Sequence, residues 1–420
     1  MTDDTTPRLG STTPLPRIIS VDDHVVEPPH LWDTWLPRKY RDRGPKSERR
    51  GIGEMEHIGG GSYRQTFDPE GAQADCWVYE DLVYINKRHV AAVGFDRDDM
   101  TMSPITYDEM RPGCYEPKAR IADMESNWVE ASLCFPSFPR FCGQTFLEAK
   151  DREVALACVL AYNDWMVDEW CGDSDGRLIP LCIIPLWDAE LAAAEVRRNA
   201  ARGVRAVCFS EIPPHLGLPS IHSGAWDPFF AACEETRTVV CMHIGSSSKM
   251  PATSADAPVA VAATLSFGNA MSSLCDFLFS GVLIRYPTLI LAYSEGQIGW
   301  LPYILERADD VWREHRAWGG VKEVVLEPPS AYFRRQVYGC FFRDQHGLDS
   351  LGAIGADRIT FETDYPHTDS TWPETRAVAE QMVRNLSDAD VYRIMRGNAI
   401  EMLSLERTTS PRDCDSTPMP

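Results

Sequence analysis

The sequence predicts an α/β protein built as a closed (β/α)8 barrel, with a long insertion after its first strand. Three observations predict it. Short apolar runs alternate with longer helical patterns across most of the 420 residues, as parallel strands covered by helices do. Four of these runs end in side chains able to hold a metal: IISVDDH (18–24), TVVCMHIGS (238–246), LILAYSEG (289–296) and ITFETDYPH (359–367). No GxGxxG follows an early strand pattern, which counts against the runner-up, an open doubly wound sheet. Barrels of this kind keep their chemistry at the carboxyl ends of the strands, so fold and site follow from one inference.

Residues 1–16 are polar and Pro-rich and are expected to be disordered; 406–420 read as a flexible tail. The barrel is expected over 17–405, opening with the strand 18–24. Residues 25–114, rich in Gly, Arg and Pro, break the alternation and read as an inserted cap over the substrate pocket, or equally as a surface elaboration or oligomer contact. Further strands are expected at 128–138, 177–187, 203–211, 238–246, 289–296, 336–344 and 359–365. Helical patterns fill 146–171, 188–202, 225–237, 256–281, 300–317 and 373–403. The second of these, DAELAAAEVRRNAAR, carries acids early and Arg late, as the helix dipole favours.

The net charge of −21 argues against nucleic acid and anionic membranes as partners. A local basic patch can still receive an anionic small molecule, because charges are screened beyond about 8 Å. No apolar run approaches the ~18 residues of a membrane span, so a soluble, cytoplasmic protein is expected, with a homo-oligomer compatible. Thirteen cysteines occur without a CxxC pair. Cys182, Cys208 and Cys241 lie in apolar runs and read as reduced core residues.

Side chains two apart on a strand point the same way, so Asp22 and His24 form a chelating pair while Asp23 faces opposite. His243 sits in an apolar strand; alone it would read as a hydrogen-bonded core histidine. Asp364 ends the last strand, where a carboxylate can bind metal or take a proton from metal-bound water. Glu362 shares its parity but lies deeper, and His367 follows in the loop. Glu211, at the end of the fourth strand, is a possible ligand or an acceptor behind the ligands. Tyr293 shares parity with Glu295 and could bond to a metal-bound oxygen species. Arg88 and His89 in the insertion could touch substrate. His215 and His222 read as pocket lining or surface, and Trp32, Trp35 and Trp300 as packing. Ser246–Ser248 lack a GxSxG elbow, so a serine hydrolase is discounted.

The opening VDDHVVEPP, the segment EMRPGCYEPKARIADMESNWVEASLCFPSF (109–138), the run WDPFFAACEE (226–235) and the closing FETDYPHTDSTWP (361–373) resemble the amidohydrolase-related family. That family includes decarboxylases of the aminocarboxymuconate-semialdehyde type. The resemblance implies a distorted TIM barrel of the amidohydrolase type with a divalent metal. Its first-strand motif, usually His-x-His, corresponds to Asp22-x-His24. Its strand-five His corresponds to His243 and its last-strand Asp to Asp364. At strand six the decarboxylase-like members carry an acid/base His followed by glycines; here YSEGQIGWLPY (293–303) places Glu295 there.

That replacement motivates the leading expectation. Three carboxylates and three imidazoles exceed what one Zn²⁺ needs, and carboxylates are the usual bridges between two irons. The set (Asp22, His24, His243, Glu295, Asp364, His367) is therefore similar to a diiron branch of the fold, typified by the monooxygenase of platensimycin and platencin biosynthesis. The resemblance implies a non-haem diiron oxidoreductase of antibiotic biosynthesis, hydroxylating an unactivated carbon of a small organic acid or terpenoid, with coenzyme A thioesters among its substrates. Dioxygen would be a co-substrate and an external reductase the electron donor, with Glu295 and Asp364 catalytic. The alternative is a mononuclear Zn²⁺- or Mn²⁺-dependent hydrolase or decarboxylase of a carboxylated substrate. Asp22, His24, His243 and Asp364 would then hold the ion and Glu295 would act in place of the strand-six His.

Overall fold

The computed structural model describes residues 13–59 and 62–406; most of the expected N-terminal disordered segment and tail, 1–12 and 407–420, lie outside the described residues. Thirteen strands occur among the described residues, in chain order β1 (Ile18–Val25), β2 (Lys46–Gly59), β3 (Ser62–Phe67), β4 (Ala72–Tyr79), β5 (Leu82–Ile85), β6 (Val129–Pro136), β7 (Leu178–Ile179), β8 (Leu181–Cys182), β9 (Ala206–Cys208), β10 (Val239–His243), β11 (Leu291–Ser294), β12 (Val337–Phe341) and β13 (Ile359–Phe361). All but β2–β5 pair in parallel. They make two sheets, ordered β1-β6-β7 and β13-β12-β11-β10-β9-β8. Pro180 separates β7 from β8, and a proline has no N–H to give the ladder, so one barrel strand is counted as two.

The ring closes between its first and last strands. Thr363 N donates to Ser20 Oγ (2.9 Å), Asp364 N to Asp22 O (3.0 Å) and His24 N to Tyr365 O (2.6 Å). Each strand run expected from the sequence contains an observed barrel strand, and the result is a distorted (β/α)8 barrel. Every residue of β1, β10 and β12 is buried. A fully buried Val, Leu, Ile or Phe contributes roughly 1.5–3 kcal/mol. The apolar wall therefore holds the fold and leaves the strand ends free to carry polar groups. The described cysteines are free, and all except Cys275 are buried.

Helices depart from expectation at their ends. The 256–281 pattern splits into Val259–Leu265 and Gly268–Ser280. The 373–403 pattern breaks after Met382 and restarts at Asp388, where Ser387 Oγ accepts from Asp390 N (3.1 Å) and caps the new helix. No helix among the described residues is long and apolar enough to cross a membrane.

The stretch 25–114 contains the antiparallel sheet β3-β2-β4-β5, which the sequence reading did not anticipate. Its chain returns to the ligand end of the barrel. Ala92 N donates to Pro366 O (2.7 Å), and Tyr107 Oη to Glu27 O (2.6 Å).

Candidate metal centre

β1 delivers Asp22 and His24, β10 delivers His243 as its last residue, and Glu295 and Asp364 follow the ends of β11 and β13. Side chains from these four segments, more than 300 positions apart at the extremes, converge. His24 Nε2 lies 3.2 Å from His243 Nε2, 3.3 Å from Asp364 Oδ1 and 3.6 Å from Asp22 Oδ1. His243 Nε2 lies 3.5 Å from Asp22 Oδ2 and 3.5 Å from Glu295 Oε2. His367 Nδ1 lies 3.2 Å from Asp364 Oδ1, and its ring stacks on His24 with centroids 3.6 Å apart. Two overlapping groups result, His24–Glu295–Asp364–His367 and Asp22–His24–His243, each with its ligand atoms within 4.8 Å of one another. All six sequence-predicted ligands are thus brought together.

The donors fit a divalent cation. Both carboxylate oxygens of Asp22 and both of Asp364 are buried without a hydrogen-bond partner. Such groups are costly unless something compensates them. His243 Nδ1 faces the carbonyl of Ile244 at 2.6 Å, so that nitrogen carries the hydrogen and Nε2 turns its lone pair inward. An ion with bonds of about 2.1 Å separates adjacent ligands by about 3 Å and opposite ones by about 4.2 Å. The contacts of 3.2–3.6 Å between neighbouring donors suit adjacent ligands of such an ion.

Burial first, and neighbouring carboxylates second, push Asp22, Glu295 and Asp364 well above the usual carboxylate range. Burial also pushes His24 and His367 down, and His243 to about 3. Left to itself the cluster resists carrying charge; a bound cation inverts that preference. The polypeptide is held in unusual conformations here, with φ of 51° at Glu295 and 49° at Asp364. Positive φ at a non-glycine residue persists only where the surroundings enforce it.

Other expected residues take different places. Glu211 joins neither group: its Oε1 accepts from Gly245 N (3.0 Å), Ser247 Oγ (3.0 Å) and Asn269 Nδ2 (3.1 Å), so it anchors the loop after β10. Ser246 Oγ accepts from Glu211 N in the same network. Tyr293 Oη pairs with Ser273 Oγ (3.0 Å) on the neighbouring helix. The parity argument linking it to Glu295 fails because β11 ends at Ser294 and Glu295 turns left-handed. His222 pairs with Asp276 at the surface.

Phe141, which the sequence did not mark, and Glu362, marked there only by its parity, border the cluster. Phe141 stacks on His243 (centroids 4.1 Å, planes 8° apart). Glu362 Oε2 accepts the Glu295 N–H (3.0 Å), holding that residue's backbone from behind. The strand parity of Glu362 was visible in the sequence, but its bond partner lies 67 residues away.

The amidohydrolase family model matches residues 30–405. The chain is 23% identical over 318 residues to 2-amino-3-carboxymuconate-6-semialdehyde decarboxylase of Dictyostelium discoideum, covering 71% of this chain and 80% of that one. It is 27% identical over 284 residues to gamma-resorcylate decarboxylase of a Rhizobium species, covering 61% and 79%. Among solved structures, 5-carboxyvanillate decarboxylase of Novosphingobium aromaticivorans, complexed with manganese and 4-hydroxy-3-methoxy-5-nitrobenzoic acid, matches with a TM-score of 0.61 at 16% identity, over 93% and 96% of the chains.

These relatives overturn the leading expectation. They are decarboxylases, so the oxidoreductase, monooxygenase and diiron readings are withdrawn, and dioxygen and an external reductase go with them. The error was to count ligands as ions. Mixed carboxylate and imidazole ligation serves one Mn²⁺ or Zn²⁺ as well as two irons. The two groups of donors overlap at His24.

Proposed function

The chain belongs to the amidohydrolase family, and from that premise we propose that it is a decarboxylase of a small carboxylated substrate, dependent on one divalent ion. The observation that carries the reading is the convergence of unpartnered Asp22 and Asp364 oxygens on the Nε2 atoms of His24 and His243. Those four residues would hold the ion, with Mn²⁺ or Zn²⁺ suited to the donor set. When bound, the ion supplies positive charge that orients substrate oxygens and offsets negative charge. A substrate of the kind named for the relatives, an aromatic or unsaturated carboxylic acid, is proposed.

The residues divide the remaining work. Asp22, His24, His243 and Asp364 are 0–1% exposed and sealed; Glu295 is 12% exposed and His367 15%, so these two face the open side. Glu295 delivers a proton to the carbon that bears the carboxylate. The bond from that carbon to the carboxyl carbon then breaks, its electron pair stays on the substrate, and CO₂ leaves. Glu295 recovers its proton from solvent. A conjugated substrate suits this sequence, because its π system takes up the charge while the carbon is tetrahedral. No net oxidation occurs and no reductant is consumed. His367, bonded toward Asp364 and stacked on His24, orients both.

The test is an anaerobic assay of the full-length protein, loaded with Mn²⁺ or Zn²⁺ in turn, against a panel of aromatic and unsaturated carboxylic acids. Metal-dependent CO₂ release without oxygen or reductant is expected. No release from any panel member by protein shown to hold the ion would overturn the reading.

A further inference from the structure

Asp23 lies on β1 between Asp22 and His24, and its carboxylate bonds away from the cluster its neighbours build. It is 1% exposed. Oδ1 accepts from Ser20 Oγ (3.1 Å), Thr363 Oγ1 (2.5 Å) and Tyr365 N (2.9 Å), and Oδ2 accepts from Ser132 Oγ. The donors come from β1 itself, from β6 and from the run after β13. Two of them, Thr363 and Tyr365, flank Asp364. One carboxylate therefore grips both neighbours of a candidate ligand on the last strand, while its own neighbours are candidate ligands on the first.

We infer that Asp23 is a positioning residue for the metal centre, setting the spacing between the Asp22–His24 pair and Asp364. The inference rests on the reading of those three residues as ligands. Backbone bonds from Asp364 N to Asp22 O and from His24 N to Tyr365 O tie the two strand ends together. Asp364 itself sits at a φ of 49°. The grip on Thr363 and Tyr365 adds to those bonds by fixing the chain on both sides of the strained residue.

A buried guanidinium completes the support. Arg120 is 0% exposed; its Nη2 donates to the His24 carbonyl (2.5 Å) and its Nε to Gly113 O (2.7 Å). Partners behind a ligand typically change metal affinity 10–100-fold when removed. A carboxylate serving stability alone would change melting temperature and leave affinity untouched.

Asp23→Asn keeps the shape, but its amide cannot accept all four hydrogens. Thr363→Val removes one donor without altering Asp23. The experiment is calorimetric titration of Mn²⁺ alone into chelator-treated full-length wild type, D23N and T363V, with the melting temperature of each metal-free protein recorded. Wild type is expected to bind, D23N to bind about 10–100-fold more weakly, and T363V about threefold to tenfold more weakly, the size of one neutral hydrogen bond. The metal-free melting temperature should fall by a few degrees at most. Wild-type affinity in both variants overturns the inference and leaves the ligand reading standing. Absence of binding by wild type overturns both, so the wild-type titration tells the two failures apart. If D23N does not fold, T363V decides.

Discussion

His24 and His243 face each other nitrogen to nitrogen: their Nε2 atoms lie 3.2 Å apart although 219 positions separate them in the chain. The His243 hydrogen is on the other nitrogen, against the Ile244 carbonyl, so its Nε2 is a lone pair. The unpartnered Asp22 and Asp364 oxygens border the same space. Acceptors that meet in this way suit a cation between them.

Removal of that cation should therefore destabilise the protein. A ligand at 100 times its Kd stabilises the folded state by about 2.7 kcal/mol. Chelation is expected to lower the melting temperature by several degrees, and Mn²⁺ or Zn²⁺ to restore it, while Asp364→Ala shows neither response. Differential scanning fluorimetry with metal analysis of the same samples checks this. A melting temperature indifferent to chelator and metal would sink the single-ion site.

Glu295→Gln removes a proton donor and keeps the size and the partial exposure. General acid catalysis is typically worth about 10²–10⁴-fold. The variant should lose kcat by that factor while retaining the bound ion, measured by steady-state kinetics and elemental analysis. Loss of the ion together with activity would make Glu295 a ligand instead. Glu295→His should keep part of the activity, because an imidazole can also carry and deliver a proton.

His367→Ala separates two roles for the outermost imidazole. The ring stacks on His24 and its Nδ1 reaches Asp364 Oδ1. As an orienting group it should cost roughly tenfold in kcat/KM, about 1.4 kcal/mol, with Mn²⁺ affinity within threefold of wild type. A fall in affinity of 100-fold or more would place it among the ligands.

The barrel and the six converging residues were legible because the candidate ligands lie towards or beyond the carboxyl ends of strands that open as apolar runs. Nothing comparable marked β2. Its sequence KSERRGIGEMEHIG has few apolar residues because much of that strand faces solvent, so no hydrophobic period could reveal it. Tyr293 was misplaced because parity holds only inside a strand, and Glu295 lies outside one. Asp23 was read only by the face it occupies; its donors Ser132 and Thr363 are 109 and 340 positions away. The number of metal ions was not legible at all, because ligand identity constrains the type of ion more than the count.

Glu27 predicts how stability changes with pH. Its carboxylate is fully buried and accepts from Ser137 N (2.9 Å) and Phe138 N (2.8 Å). Burial outweighs those two bonds and pushes its pKa from 4.5 up to about 7. A carboxyl raised in the folded state contributes stability that is fully present below about pH 4.5 and is lost as pH rises through about 7. The loss amounts to about 3 kcal/mol at 1.36 kcal/mol per pKa unit. Glu27→Gln removes the titration, so the variant should gain on wild type by about that amount between pH 4.5 and pH 8. Urea unfolding of both proteins across that range measures the difference. A difference that stays flat would mean that the two backbone N–H groups hold the carboxylate ionised in the folded protein, with its pKa near that of the unfolded chain.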